Sequence, residues 1–189
     1  MARIDDSGSV TKCWLLQEEL DDLERVALNV DWEREVAMQL MGRCGLRADE
    51  VPYPSDSKLR WSDQGECWLL EVRRKNTKGG SKATRDAWVP EHVAETIHRY
   101  ARERGLGEDE PWVDVSKNSL RRWGKEAVEQ LHRETGDQRC RPVSSHDLRR
   151  SWSTYYLVER GVGVRTMMAI GGWSSYSAIE PYLDEPTEG

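Results

Sequence analysis

Residues 144–159 read S-S-H-D-L-R-R-S-W-S-T-Y-Y-L-V-E and are followed by Arg160 and Gly161. Serine is a strong helix cap and glycine a strong helix stop, so Ser144 or Ser145 at one end and Gly161 at the other predict a single helix. His146 and Arg149 stand three apart at its start and share a face. A helix N-terminus offers unpaired N–H groups and a partial positive charge, so an imidazole and a guanidinium placed there can converge on one anion. Alone this pair says little, because 28 of the 189 residues are basic and such spacing arises easily.

Outward from this helix, the chain divides by its apolar spacing. Leu16, Leu20, Leu23 and Ala27 recur at helical intervals, and Asp31 is placed to cap a second helix that buries Val36, Leu40 and Met41. Pro52, Pro54, Ser55 and Ser57 break that pattern, and short strands are expected at Leu59 to Trp61, Cys67 to Arg73 and Asp86 to Val89. The last two are joined by K-N-T-K-G-G-S-K-A-T, residues 75–84, whose Gly79 and Gly80 suit a basic hairpin tip. Pro90 opens a helix through Val93, Ile97 and Tyr100 that stops near Gly105, and another is expected from Ser116 to Gly136. Short helices around Val164 to Ile170 and Ser174 to Tyr182 close the chain. Residues 1–10 read as a flexible tail, 11–185 as one domain and 186–189 as a second tail. The fold class is therefore α+β, mainly helical, with a small antiparallel sheet inserted after the second helix.

Charge sets limits on partners. Against 28 basic residues stand 34 acidic ones, a formal net charge of -6, which argues against nonspecific coating of nucleic acid. The distribution differs locally: Arg73, Arg74, Lys75, Lys78, Lys82 and Arg85 cluster at the hairpin. Arginine in excess over lysine, nine Trp and no Phe resemble the composition of salt-loving, GC-rich organisms. No apolar run reaches the roughly 18 residues of a membrane helix and the start lacks a secretory pattern, so a cytoplasmic location is expected. Cys13, Cys44, Cys67 and Cys140 form no C-x-x-C, and reduced, structural cysteines without a metal are expected.

Two further stretches complete the pattern. C-G-L-R-A-D-E places Arg47 three residues before Glu50, and G-G-W-S-S-Y-S-A-I-E-P-Y places Tyr182 nine residues after Trp173. In this order these residues resemble the catalytic domain of the tyrosine recombinases, the phage integrase family, over nearly the whole chain. The resemblance implies that Arg47, supported by Glu50, and Arg149 bind the scissile phosphate, and that His146 assists them. It implies a hairpin lysine, Lys75 or failing that Lys78, as the proton donor. Trp173 then occupies the family's G-H or G-W slot, and Tyr182 is the nucleophile.

The chemistry of each residue type fits. Two guanidiniums can hold the nonbridging oxygens that gain charge in a pentacoordinate phosphorus transition state. A phenol with an ordinary pKa of about 10 needs nearby cations or a base to react at neutral pH. A lysine can protonate the leaving 5′ oxygen, and the indole of Trp173 can donate or pack but cannot act as a base. No cofactor or metal is then required. The implied activity is site-specific DNA recombination through a 3′-phosphotyrosine, on double-stranded DNA and as a homo-oligomer on it. The alternatives are an idle DNA-binding remnant and relaxation of supercoils by the same chemistry. The family's N-terminal core-binding domain is expected to be absent, with a separate protein as a possible supplier of that half of the DNA clamp.

Overall fold

The chain begins its helical layer where the apolar spacing places it. In the computed structural model, which describes residues 3–5, 12–73, 84–138 and 143–183, α1 spans Gln17–Leu28 and α2 spans Trp32–Gly42. The Asp31 carboxylate caps α2 by accepting from the Glu33 amide at 2.8 Å. Leu20 and Leu23 of α1 and Val36, Leu40 and Met41 of α2 are buried together in the main core, and each such side chain contributes on the order of 1.5–3 kcal/mol. Arg43, just past α2, is buried and donates to Glu24 at 2.6 Å, Asp21 at 2.5 Å and Gln17 Oε1 at 2.7 Å. Its charge is thus used to tie α2 to α1.

Residues 1–10, read as a tail, contain a strand: β1 (Arg3–Asp5) pairs antiparallel with β2 (Lys12–Trp14). β2 is anchored from both faces of the chain's logic, by burial of Cys13 and Trp14 and by a bond from the Leu15 amide to Ser151 Oγ at 2.8 Å. Three-residue ladders of this kind leave too short an alternation to read in a sequence.

The sheet inserted after α2 is antiparallel in the order β3 (Leu59–Ser62), β4 (Cys67–Arg73), β5 (Thr84–Val89). β5 begins two residues before the expected Asp86, because the ladder continues through Val72↔Arg85 and Arg73↔Thr84. Alternation puts Arg85, Ala87 and Val89 on the buried side. The hairpin tip with Lys75, Lys78 and Lys82 lies outside the described residues.

α3 (Glu91–Arg104) follows, with Pro90 just ahead of it rather than within it, and ends on left-handed Gly105. α4 (Lys117–Thr135) starts at Ser116, whose hydroxyl accepts from the Ser119 amide at 3.2 Å. α5 (Ser145–Thr154) is capped by Ser144, whose amide donates to Asp147 at 2.9 Å. The expected single helix to Gly161 instead widens into a π-helical turn at Tyr155–Glu159. There Tyr156 lies against Trp88, ring centroids 5.0 Å apart. α6 (Val164–Gly171) and α7 (Tyr176–Ile179) lead to a 3₁₀ turn, Glu180–Tyr182. The final helix is shorter than expected because Ser175 is extended (φ -145, ψ 158). Trp152, Met167, Trp173, Ile179 and Tyr182 form a second, smaller core. Cys44 and Cys67 are free thiols.

Gly45 connects the two halves. Its φ is +68, and a Cβ there would fall 2.4 Å from the Trp152 ring. Gly45→Ala therefore combines left-handed strain with overpacking and is expected to destabilise the chain by roughly 2–4 kcal/mol in urea unfolding; an unchanged midpoint would show that the contact is not as tight as described.

Candidate active site

The turn after Gly45 fixes Arg47 from below. Its backbone amide donates to Glu50 Oε2 at 2.8 Å and its Nη1 to Glu50 Oε1 at 2.9 Å. The Arg47 side chain is 26% exposed while Glu50 is 2% exposed, so the carboxylate is the buried anchor and the guanidinium the accessible end. Leu46 and Val51 bracket the turn in the core.

Arg149 comes from the opposite direction, on the first turns of α5, and is 1% exposed. Its Nη1 donates to the Gly45 carbonyl and its Nη2 to the Gly171 carbonyl at 2.5 Å. Its guanidinium carbon lies 4.4 Å from the centre of the Trp173 ring. Burial, with Arg47 and Arg85 nearby, pulls this guanidinium well below the ordinary arginine value. Such a site gains from an incoming anion.

His146, one turn earlier on α5, remains accessible to solvent. Its Nε2 is 3.0 Å from the Tyr182 hydroxyl. Desolvation and then the charge of Arg150 lower its pKa, so the imidazole is neutral at pH 7 and able to accept a proton. The Tyr182 ring is held between Trp173, at 5.2 Å between centroids, and the Arg150 guanidinium at 5.0 Å. Arg150 also donates to the Pro181 carbonyl at 3.3 Å.

Arg47, His146 and Arg149 line one open cleft together with Ala48, Asp49, Lys117, Arg121 and Ser145. Tyr182 meets this cleft at His146. Trp173 stands behind Arg149, stacked on Trp152 at 5.9 Å with 19° between planes, where it packs the guanidinium. Lys75 lies outside the described residues. Among the described residues, no group of three His, Cys, Asp or Glu side chains could hold a metal ion.

Four basic residues at this site escaped the sequence reading. Lys117 and Arg121, at i and i+4 on α4, face the cleft. Their shared helical face was legible, but nothing in the spacing linked it to His146. Arg150 carried no spacing signal of its own, and Arg85 was grouped with the basic cluster at the hairpin.

The sequence of residues 14–188 matches the family model described as Phage integrase family. No curated protein matches the chain. Among solved structures, XerA recombinase is similar at 20% identity and a TM-score of 0.69, over 92% of this chain and 61% of that one. A Tn1549 transposon integrase in complex with a circular intermediate DNA is similar at 14% identity and a TM-score of 0.73, over 97% of this chain and 65% of that one. A lambda integrase dimer bound to a COC' core site gives 18%, 0.61, 93% and 60%. The chain thus spans less than two thirds of the length of each of these structures, and at these identities the likeness is one of fold.

In an NMR titration, His146 should protonate below the ordinary imidazole value of about 6.5, and Arg150→Gln should move its midpoint upward by removing a facing cation. A midpoint at or above the ordinary value would contradict the arrangement described.

Proposed function

Because the chain belongs to the phage integrase family, we propose that it cuts and rejoins double-stranded DNA at specific sites through a covalent 3′-phosphotyrosine on Tyr182. The observation that carries this reading is the 3.0 Å contact between the Tyr182 hydroxyl and His146 Nε2, beside a cleft shared by Arg47 and Arg149.

In the proposed cleavage step the Tyr182 oxygen attacks a backbone phosphorus and passes its proton to His146. The bond from phosphorus to the 5′ oxygen breaks as the bond to tyrosine forms. Arg47 and Arg149 take the nonbridging oxygens, whose charge grows in the transition state. Both guanidiniums are held before substrate arrives, Arg47 by Glu50 and Arg149 by two carbonyls, so little reorganisation is needed. Lys75 supplies the proton to the departing 5′ oxygen. Trp173 packs Arg149 and one face of Tyr182, which keeps nucleophile and clamp in register. Religation runs the same steps in reverse, with a 5′ hydroxyl from a second duplex as the attacking group. Strand exchange then needs a second copy of the chain on the partner DNA. Since Tyr182 lies against the His146 of its own chain, the reading is that each copy cuts with its own tyrosine.

Lys117 and Arg121 extend the positive lining away from Arg149 and suit the phosphates that flank the cut. Sequence-independent affinity from such contacts falls with salt, each phosphate contact contributing a slope of about 0.9 in log–log form.

A suicide duplex nicked near its target site should trap a covalent protein–DNA adduct with wild type and none with Tyr182→Phe; absence of the adduct from wild type across target sequences and salt would overturn the proposal. Arg149→Lys should slow adduct formation on the order of 100–1000-fold, since a point charge cannot span both carbonyls and the phosphate. Lys117→Gln combined with Arg121→Gln should instead weaken DNA binding and flatten its salt slope by about 2.

A further inference from the structure

Among the described residues, Arg85 is the one fully enclosed guanidinium near the cleft that the proposed chemistry does not use. It stands on the inward face of β5, with its side chain 1% exposed, and donates to Glu50 Oε2 at 2.9 Å. Its Nη1 donates to the Ile170 carbonyl near the C-terminal end of α6. The next carbonyl, that of Gly171, accepts from Arg149. The end of α6 therefore holds two guanidiniums on consecutive carbonyls, where helix dipole and unpaired oxygens favour cations.

The two glycines at this point make room for that arrangement. A Cβ on Gly172 would lie 2.6 Å from Arg85 Cδ and 2.9 Å from its Nε, and one on Gly171 would lie 2.0 Å from Trp173. Gly172 also needs its left-handed backbone, φ +69. The sequence G-G-W is thus shaped on one side by Trp173 and on the other by the arm of Arg85.

Glu50 is the second link. One carboxylate oxygen binds the Arg47 guanidinium and the other binds both the Arg47 amide and Arg85. With Arg85 in place, the buried carboxylate is shared between two cations and its hold on Arg47 is divided. Without Arg85, Glu50 has Arg47 as its remaining bonded cation, and the pull draws Arg47 inward from the cleft.

We propose that Arg85 is a positioning residue that keeps Arg47 available to a DNA phosphate, by sharing Glu50 with it and by tying β5 to the Gly171–Gly172 turn behind Arg149. It acts through Arg47, since its own burial keeps it from the DNA. This inference rests on the cleavage reading above, and it predicts a defect confined to charge neutralisation at the phosphate.

The test compares wild type, Arg85→Met and Arg85→Lys on two nicked suicide duplexes, one with an ordinary phosphodiester at the scissile position and one with an uncharged methylphosphonate. Arg85→Met should form adduct about 10–100-fold more slowly on the phosphodiester at saturating DNA, with DNA affinity changed less than about threefold. On the methylphosphonate, where the oxygen charge that Arg47 neutralises is absent, the defect should largely disappear. Arg85→Lys keeps the charge at Glu50 with one point contact and should fall between, and it serves as the folded variant if Arg85→Met is unstable. Equal slowing on both duplexes, or wild-type rates on both, overturns the proposal. A second readout needs no cleavage: tungstate binding measured by calorimetry should weaken about tenfold in Arg85→Met and by less in Arg85→Lys. If wild type forms no adduct at all, the cleavage reading fails, while unchanged tungstate affinity in the variants would separately reject the role of Arg85.

Discussion

The Arg149 guanidinium, buried and gripped by the carbonyls of Gly45 and Gly171, is the contact on which the arrangement of this molecule depends. It brings together three segments far apart in the chain: the turn after α2, the start of α5 and the end of α6. Each segment delivers something to the same place. The turn presents Arg47, α5 presents His146, and the chain beyond α6 returns through Trp173 to Tyr182. A fully enclosed arginine is costly unless its hydrogen-bonding capacity is met, and here two main-chain oxygens and the face of Trp173 meet it. Removing any of these would leave a buried charge uncompensated as well as displace the residues around it.

The electrostatics follow from this packing. Arg47, Arg85 and Arg149 lie close enough that the first two help destabilise the charge of the third, while among the described residues the Glu50 carboxylate pairs with Arg47 and Arg85. The local excess of positive charge exists on a chain whose formal net charge is -6. A phosphate entering the cleft therefore relieves a repulsion that folding has built in, which is a stronger preference than an exposed cationic patch would give. Desolvation and Arg150 keep His146 neutral in the same field, so the group nearest the Tyr182 hydroxyl is available as a proton acceptor.

Much of this was legible in the residues. Helical spacing located α1 to α4, Asp31 and Ser116 cap the helices where a capping rule puts them, and Arg47–Glu50 and His146–Arg149 are each joined by the i,i+3 geometry of a turn or helix start. Placing Tyr182 against His146 required the fold, since the two stand 36 positions apart with two helices between them. Arg85 was grouped with the hairpin cations because a count of charge along the chain does not say which face a residue occupies, whereas the strand alternation of Arg85, Ala87 and Val89 puts all three on the buried face. In the sequence Arg85 lies just before the expected strand start at Asp86, and Trp88 between Ala87 and Val89 blurs the alternation that buries it. The π-helical turn at Tyr155–Glu159 had no such signal, because its apolar residues fit an α-helix equally well and the stacking of Tyr156 on Trp88 is a tertiary contact.

A crystal structure of the chain with vanadate and two DNA fragments that end at the scissile position tests the central geometry most directly. The account requires vanadium bonded to the Tyr182 oxygen, with equatorial oxygens roughly 3 Å from the guanidinium nitrogens of both Arg47 and Arg149. Vanadate bound away from these two arginines, or a Tyr182 oxygen that stays remote from it, would contradict the account.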